Sequence, residues 1–281
     1  MHIPDGFLAT PVWAGLQAVS LPAIAWTARK AQVETEESRA PLLGVLGAFV
    51  FAAQMINFPV GVGASGHLVG SALLAYTVGP WAASMVMAAI LIIQALVFQD
   101  GGLLAFGANT FNMAVLGVWA AYLPYRLWGG GRARRAAILL GGFCSVFAAS
   151  LAAIGELLLS EVRIPSEAMH IALFVFGVTA VIEGAITLAV LEAVGRINPR
   201  WVKAPEPMGR PAFVLLIALA AVAAFAGFWI ASTRPDGLEQ LLQNAGIQNL
   251  ERKYLAAPTG IAVVLVLCLF LWRWMSRPRS A

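Results

Sequence analysis

Apolar runs long enough to cross a lipid bilayer constrain this chain more than any other feature. A hydrocarbon core about 30 Å thick needs roughly 17–25 apolar residues per helix. The sequence offers nine candidates, at 11–28, 41–57, 66–79, 80–98, 109–127, 136–159, 167–195, 211–231 and 257–275. The third is short, and Gly79-Pro80 separates it from the fourth. It is expected to tilt, or to cross only part of the bilayer while its neighbours shield it. The expected fold is all-α, a polytopic transmembrane helical bundle of about nine spans. Composition agrees: 60% of residues are hydrophobic and 11% charged, where soluble chains carry about 25% charged residues.

The basic residues orient the spans. Cytoplasmic loops collect Lys and Arg. With the amino terminus outside, the inner segments hold Arg29, Lys30 and Arg39; Arg126, Arg132, Arg134 and Arg135; Arg196, Arg200, Lys203 and Arg210; and Arg273, Arg277 and Arg279. These are 14 of the 18 basic residues. Topology thus explains the basic balance of the chain, and nothing in it resembles a nucleic-acid footprint. The two cysteines, Cys144 and Cys268, sit in separate apolar runs, which argues against a disulfide. No cleavable leader is expected, because the first basic residues follow the first apolar stretch rather than precede it. The expected location is the inner (cell) membrane of a bacterium or archaeon.

That topology puts two histidines on the outer face. The chain begins Met1-His2-Ile3-Pro4-Asp5-Gly6-Phe7. A cation held by the Met1 amino group can also bind the His2 amide nitrogen, closing a five-membered ring. The His2 imidazole then closes a six-membered ring. A fourth ligand completes a square plane, and His67, after the flexible Gly63-Ala64-Ser65-Gly66, is the candidate. Planar nitrogen coordination suits Ni(II) or Cu(II) rather than zinc. The bulk of His2 favours retention of Met1, and Ile3-Pro4-Asp5-Gly6 predicts a turn that directs the terminus back toward the protein. Each histidine also has an ordinary reading, His2 as an accident of position and His67 as a cap or interface residue.

Other polar groups invite weaker assignments. His170, near the outer end of the seventh span, reads as an interface residue or a transient ligand. Glu183 is the deepest acid; an ionisable group within a span is a functional candidate, and a structural or coupling role suits its depth better than ligation. Glu156 lies nearer the outer end of its span. Gln54 and Gln94 raise the same question of a functional or a structural role, while Asn57, Asn109 and Asn112 flank the outer loops, where they could orient ligands. There is no phosphate-binding G-x-x-x-x-G-K-[ST] loop and no Gly-Lys pair, so the chain is not expected to hydrolyse ATP. It also lacks H-E-x-x-H and paired-cysteine motifs. It is read as a transporter subunit, not an enzyme.

Several stretches resemble one family. Met1-His2-Ile3-Pro4-Asp5-Gly6-Phe7-Leu8 with Ser65-Gly66-His67 looks like the cobalt/nickel substrate-binding membrane subunit (CbiM/NikM) of energy-coupling-factor transporters. Phe51-Ala52-Ala53-Gln54-Met55-Ile56-Asn57-Phe58-Pro59 and Gly107-Ala108-Asn109-Thr110-Phe111-Asn112-Met113-Ala114 are similar to it as well. The resemblance covers residues 1–200 and implies the Met1 amine, the His2 amide, the His2 imidazole and the His67 imidazole as ligands. It implies Ni2+ or Co2+ as transported substrate, with no catalytic residues and no resident cofactor. The partners it implies are a CbiQ/NikQ-like transmembrane coupling subunit and two CbiO/NikO-like ATP-binding cassette ATPases. Residues 201–281, with Arg234-Pro235-Asp236-Gly237-Leu238-Glu239 between two spans, resemble the PDGLE segment of a NikN-like accessory subunit. Two other functions fit the residues: a proton-coupled secondary transporter with Glu183 as relay, and a metal-dependent membrane enzyme. The latter needs an open coordination position, which four nitrogens in a plane leave little room for.

Overall fold

A computed structural model describes residues 2–34, 40–61, 64–129, 132–198 and 200–203. Met1, the expected spans 211–231 and 257–275, and the PDGLE loop lie outside the described residues. The described part is a helical bundle with one small non-helical insert. Helix α1 is Thr10–Glu34 and α2 is Ala40–Gln54. Strands β1 (Asn57–Gly61) and β2 (Ala64–His67) follow, then a short helix α3 (Ser71–Val78) and α4 (Pro80–Ile93). Next come α5 (Phe106–Thr110), α6 (Val118–Trp128), α7 (Arg134–Leu159), α8 (Ser166–Ile197) and the single turn α9 (Arg200–Lys203).

By length and composition, three helices among the described residues can cross a membrane: Pro80–Phe98, Arg134–Leu159 and Ser166–Ile197. Pro41–Gln54 is apolar but shorter. Two runs widen into π-helical turns, Gln94–Phe98 at the end of α4 and Phe111–Gly117 between α5 and α6. A π-turn carries an extra residue and leaves the regular backbone ladder, and such turns gather at functional sites.

The expected third span, 66–79, is not one helix. Its first residues form β2, paired antiparallel with β1 so that Asn57 faces His67 and Phe58 faces Gly66. The Pro/Gly-rich sequence between α2 and α3 disfavours helix, and a hairpin satisfies its backbone groups internally. Leu68 and Val69 then lead to Gly70, whose φ of +78° suits glycine. A Cβ there would run into the Val50 side chain. The helix that follows, α3, has eight residues and is about 12 Å long, well short of a bilayer core. Residues Ser71 to Thr77 are all buried, so neighbouring helices do the shielding.

Close backbone contact holds the long helices. A Cβ on Gly142 of α7 would lie 2.5 Å from the Cα of Gly184 in α8, so the two helices meet at glycine against glycine. Toward one end, Trp26 of α1, Trp81 of α4 and Trp119 of α6 pack edge to face, with centroids 4.7 and 4.6 Å apart. At the other end, the amino-terminal segment, the hairpin and the 99–105 turn come together.

Candidate metal centre

The amino-terminal segment is tied down by side chains about a hundred residues away. Helix starts leave backbone N–H groups without intrahelical acceptors, and an anion is favoured there. Helix α5 has no side-chain cap of its own. The Asp5 carboxylate holds the turn that leads into it, accepting the N–H groups of Leu103 at 2.9 Å, Leu104 at 2.8 Å and Ala105 at 3.0 Å. Gly102 leaves room for this, since a Cβ there would overlap Asp5. Two residues earlier, Asn109 of α5 acts as a two-point clamp. Its Oδ1 accepts the Ile3 N–H at 2.7 Å, and its Nδ2 donates to the Ile3 carbonyl at 3.0 Å. The Gly102 N–H also donates to the Ile3 carbonyl, at 3.1 Å. Ile3 itself is fully buried.

These anchors place His2 beside His67. Both are buried, at 7% and 6% exposure. Their rings are parallel within 7°, with centroids 5.7 Å apart. A metal–imidazole bond is about 2 Å long, which puts the ion roughly 3 Å from each ring centre. An ion bound to both imidazoles therefore requires ring centres no more than about 6 Å apart, with the ion in the plane of each ring. The His67 Nδ1 lies 3.0 Å from the Leu68 carbonyl. A carbonyl only accepts, so Nδ1 carries the hydrogen there and Nε2 presents the lone pair. The His2 Nδ1 lies 3.4 Å from Asp100 Oδ1.

The segment carrying His67 is anchored as firmly. Glu183 of α8 accepts the Val69 N–H through Oε2 and the Gly70 N–H through Oε1, both at 2.8 Å. One helical turn back, Thr179 packs against Gly66, where a Cβ would approach the threonine Oγ1 to 2.6 Å. Gln54 Nε2 donates to the Val69 carbonyl at 2.6 Å, and Gln94 Nε2 donates to Gln54 Oε1 at 2.8 Å. The Asp100 N–H donates to the Gln94 carbonyl at 3.1 Å, so a polar chain runs from beside His2 to beneath His67.

The structure thus brings together two of the three expected ligating residues, and Met1 lies outside the described residues. Among the expected supports, Asn109 holds the residue after His2 and Asn57 pairs with His67 in the hairpin. Asn112 instead donates to Glu156 Oε2 at 2.8 Å. His170 is exposed at the start of α8. Among the described residues no three His, Cys, Asp or Glu side chains are grouped to hold a metal ion. A cation between the two imidazoles therefore needs donors of another kind. Sequence reasoning placed Asp5 only in a turn and did not single out Asp100. The glycines at 101 and 102 were the available signal: a Cβ on Gly102 would overlap Asp5, and one on Gly101 would crowd Asn109 and His2.

Residues 2–201 match the family described as the cobalt uptake substrate-specific transmembrane region. A protein of Archaeoglobus fulgidus bearing the name NikMN is 32% identical over 229 residues, which cover 79% of this chain and 75% of that one. The fused nickel transport protein NikMN of Rhodobacter capsulatus is 36% identical over 156 residues, 55% of this chain and 45% of its own length. The crystal structure of a truncated transition metal transporter superposes with a TM-score of 0.62 at 32% identity, covering 70% of this chain and 99% of that one.

Proposed function

The chain belongs to the family of cobalt uptake substrate-specific transmembrane regions, and on that premise we propose that it captures Ni2+ or Co2+ at high affinity for uptake across the cell membrane. The ligands in this reading are the Met1 amine, the His2 amide nitrogen, the His2 Nδ1 and the His67 imidazole. One observation carries it: two buried imidazoles lie parallel at 5.7 Å, although 65 positions separate them in sequence. The six-membered chelate ring needs the His2 Nδ1, the atom now facing Asp100. Capture exchanges that contact for the ion and leaves the Asp100 carboxylate beside a positive centre. Planar coordination through an amide nitrogen favours nickel over cobalt.

Uptake requires an energy source, which the family resemblance assigns to a transmembrane coupling subunit and two ATP-binding cassette ATPases. The amino terminus then faces outward, and residues 201–281 serve as a NikN-like accessory segment. The names of the fused nickel transport relatives support that division. A proton-relay role for Glu183 is less favoured, because both of its oxygens already hold backbone N–H groups.

The test is a nickel titration of purified protein whose amino terminus has been verified by mass spectrometry. One alanine inserted before Met1 abolishes tight binding, and His67→Ala weakens it at least tenfold. Wild-type affinity in the insertion variant removes the chelate from consideration.

A further inference from the structure

A second constellation lies next to this centre. Residue Asn112 occupies the π-helical turn after α5, three positions beyond Asn109, or about 4.5 Å along the helix axis. The two arms of the capture centre are tied to this same stretch. Ile3 is clamped by Asn109, and the Ser71 hydroxyl at the start of α3 donates to the Met113 carbonyl at 2.9 Å. Asn112 lies between these two anchor points in the chain. Its side chain faces α7, where Nδ2 donates to Glu156 Oε2 at 2.8 Å.

That bond fixes the amide orientation, since only the NH2 end can donate to a carboxylate oxygen. It leaves Asn112 Oδ1 and Glu156 Oε1 as buried oxygens without a hydrogen-bond partner among the described residues. The two residues are 3% and 6% exposed. A buried polar atom left unsatisfied costs roughly 1–3 kcal/mol, so two on adjoining side chains call for an occupant. Ser145, on the same face of α7, carries another buried hydroxyl without a hydrogen-bond partner among the described residues. The turn that brings this helix near Ser145 has glycine at 117. A Cβ there would come to 3.1 Å from the Asn112 carbonyl and 3.4 Å from the Ser145 Oγ.

Resting on the reading above, the geometry points to the Asn112–Glu156 pair as an inner binding site for the transported divalent cation, one step below the capture centre. Its donors are oxygens, whereas the capture centre offers nitrogens. Oxygen sets bind late first-row ions more weakly than planar nitrogen sets do. A weaker inner site suits an ion in transit, which must enter and also leave. An ion there would take the two open oxygens as donors and leave the Asn112–Glu156 bond in place.

The experiment uses the full chain in lipid and Mn2+ as the probe, because Mn2+ prefers oxygen ligands and is counted by the loss of its free-ion paramagnetic resonance signal. Glu156→Gln keeps an acceptor for Asn112 Nδ2, and therefore the link between helices, but removes the charge. The wild type and His67→Ala each bind Mn2+ saturably, and Glu156→Gln lowers that affinity at least tenfold. In cells carrying the complete transporter, Glu156→Gln also lowers nickel uptake at least fivefold. Wild-type Mn2+ affinity or wild-type uptake in Glu156→Gln overturns the inner site. Failure of the capture centre shows separately, as wild-type nickel affinity in His67→Ala.

Discussion

Glu183→Gln isolates how the bundle positions His67. In the native structure both carboxylate oxygens accept, one from Val69 N–H and one from Gly70 N–H. The glutamine oxygen serves one of these donors, and its NH2 then confronts the other. One hydrogen bond is lost and its buried N–H is orphaned, at a cost of about 1–3 kcal/mol. Glu183 is 1% exposed, so no bulk water rescues the orphan. The cost falls on residues 68–70, directly after His67, and the chain relieves it by lifting that segment from α8. Because 1.4 kcal/mol is tenfold in affinity, the nickel dissociation constant rises between about tenfold and about a hundredfold. The assay is the same nickel titration, run as a double-mutant cycle with His67→Ala. A residue that acts through His67 has little further effect once His67 is gone, so the two losses fall well short of additive. Wild-type affinity in Glu183→Gln, or fully additive losses, would refute the argument that α8 holds the imidazole in place.

Two further outcomes follow from the same geometry. Asn109→Ala removes both bonds to Ile3 and frees the residue beside His2; nickel affinity drops about 10–100-fold, the range for partners that orient metal ligands, and an unchanged titration would show that the clamp is dispensable. Nickel affinity also rises with pH, because the amine, amide and imidazole ligands must give up protons before they bind; titrations at about pH 6 and pH 8 should differ, and a flat profile would exclude the amide and amine as donors.

Much of the bundle was legible in the sequence because bilayer length and the alternation of apolar and basic stretches are one-dimensional signals. The seven expected segments up to residue 195 correspond to α1, α2, the hairpin with α3, α4, the run from α5 to α6, α7 and α8. The third segment departed from a simple helix where Pro59 and the glycines from 61 to 66 make helix costly, and the hairpin was not anticipated. The pairing of His2 with His67 could be proposed from ligand chemistry alone. What composition could not show was the hardware beneath it. Asp5 holding the 103–105 turn, Asn109 gripping Ile3, and Glu183 holding Val69 and Gly70 all join positions about a hundred residues apart. Such contacts leave no periodic trace. Glu183 illustrates the gap: its depth suggested distance from the outer loops, yet the chain descends after His67 to meet it.

On the proposed reading, the same hardware lets a chain terminus serve as a metal site. The first residues of a protein are ordinarily its least ordered, and ordering a residue costs roughly 1–2 kcal/mol in backbone entropy alone. A site built on such a segment would lose affinity by that amount for each residue frozen on binding. Here the ordering is done during folding. Asp5 accepts three N–H groups of the 103–105 turn, and Asn109 matches both the donor and the acceptor of Ile3. Residues 2–5 are therefore fixed by bonds the bundle requires for itself. His67 is fixed likewise, by a hairpin and by a carboxylate on α8. The imidazoles come from two arms that converge on the helix beginning at Phe106, and Asn112 and Glu156 adjoin that convergence. On the proposed reading, an ion bound between the arms sits on a helix with oxygen donors a turn further in, and capture and onward passage would both depend on one packed element.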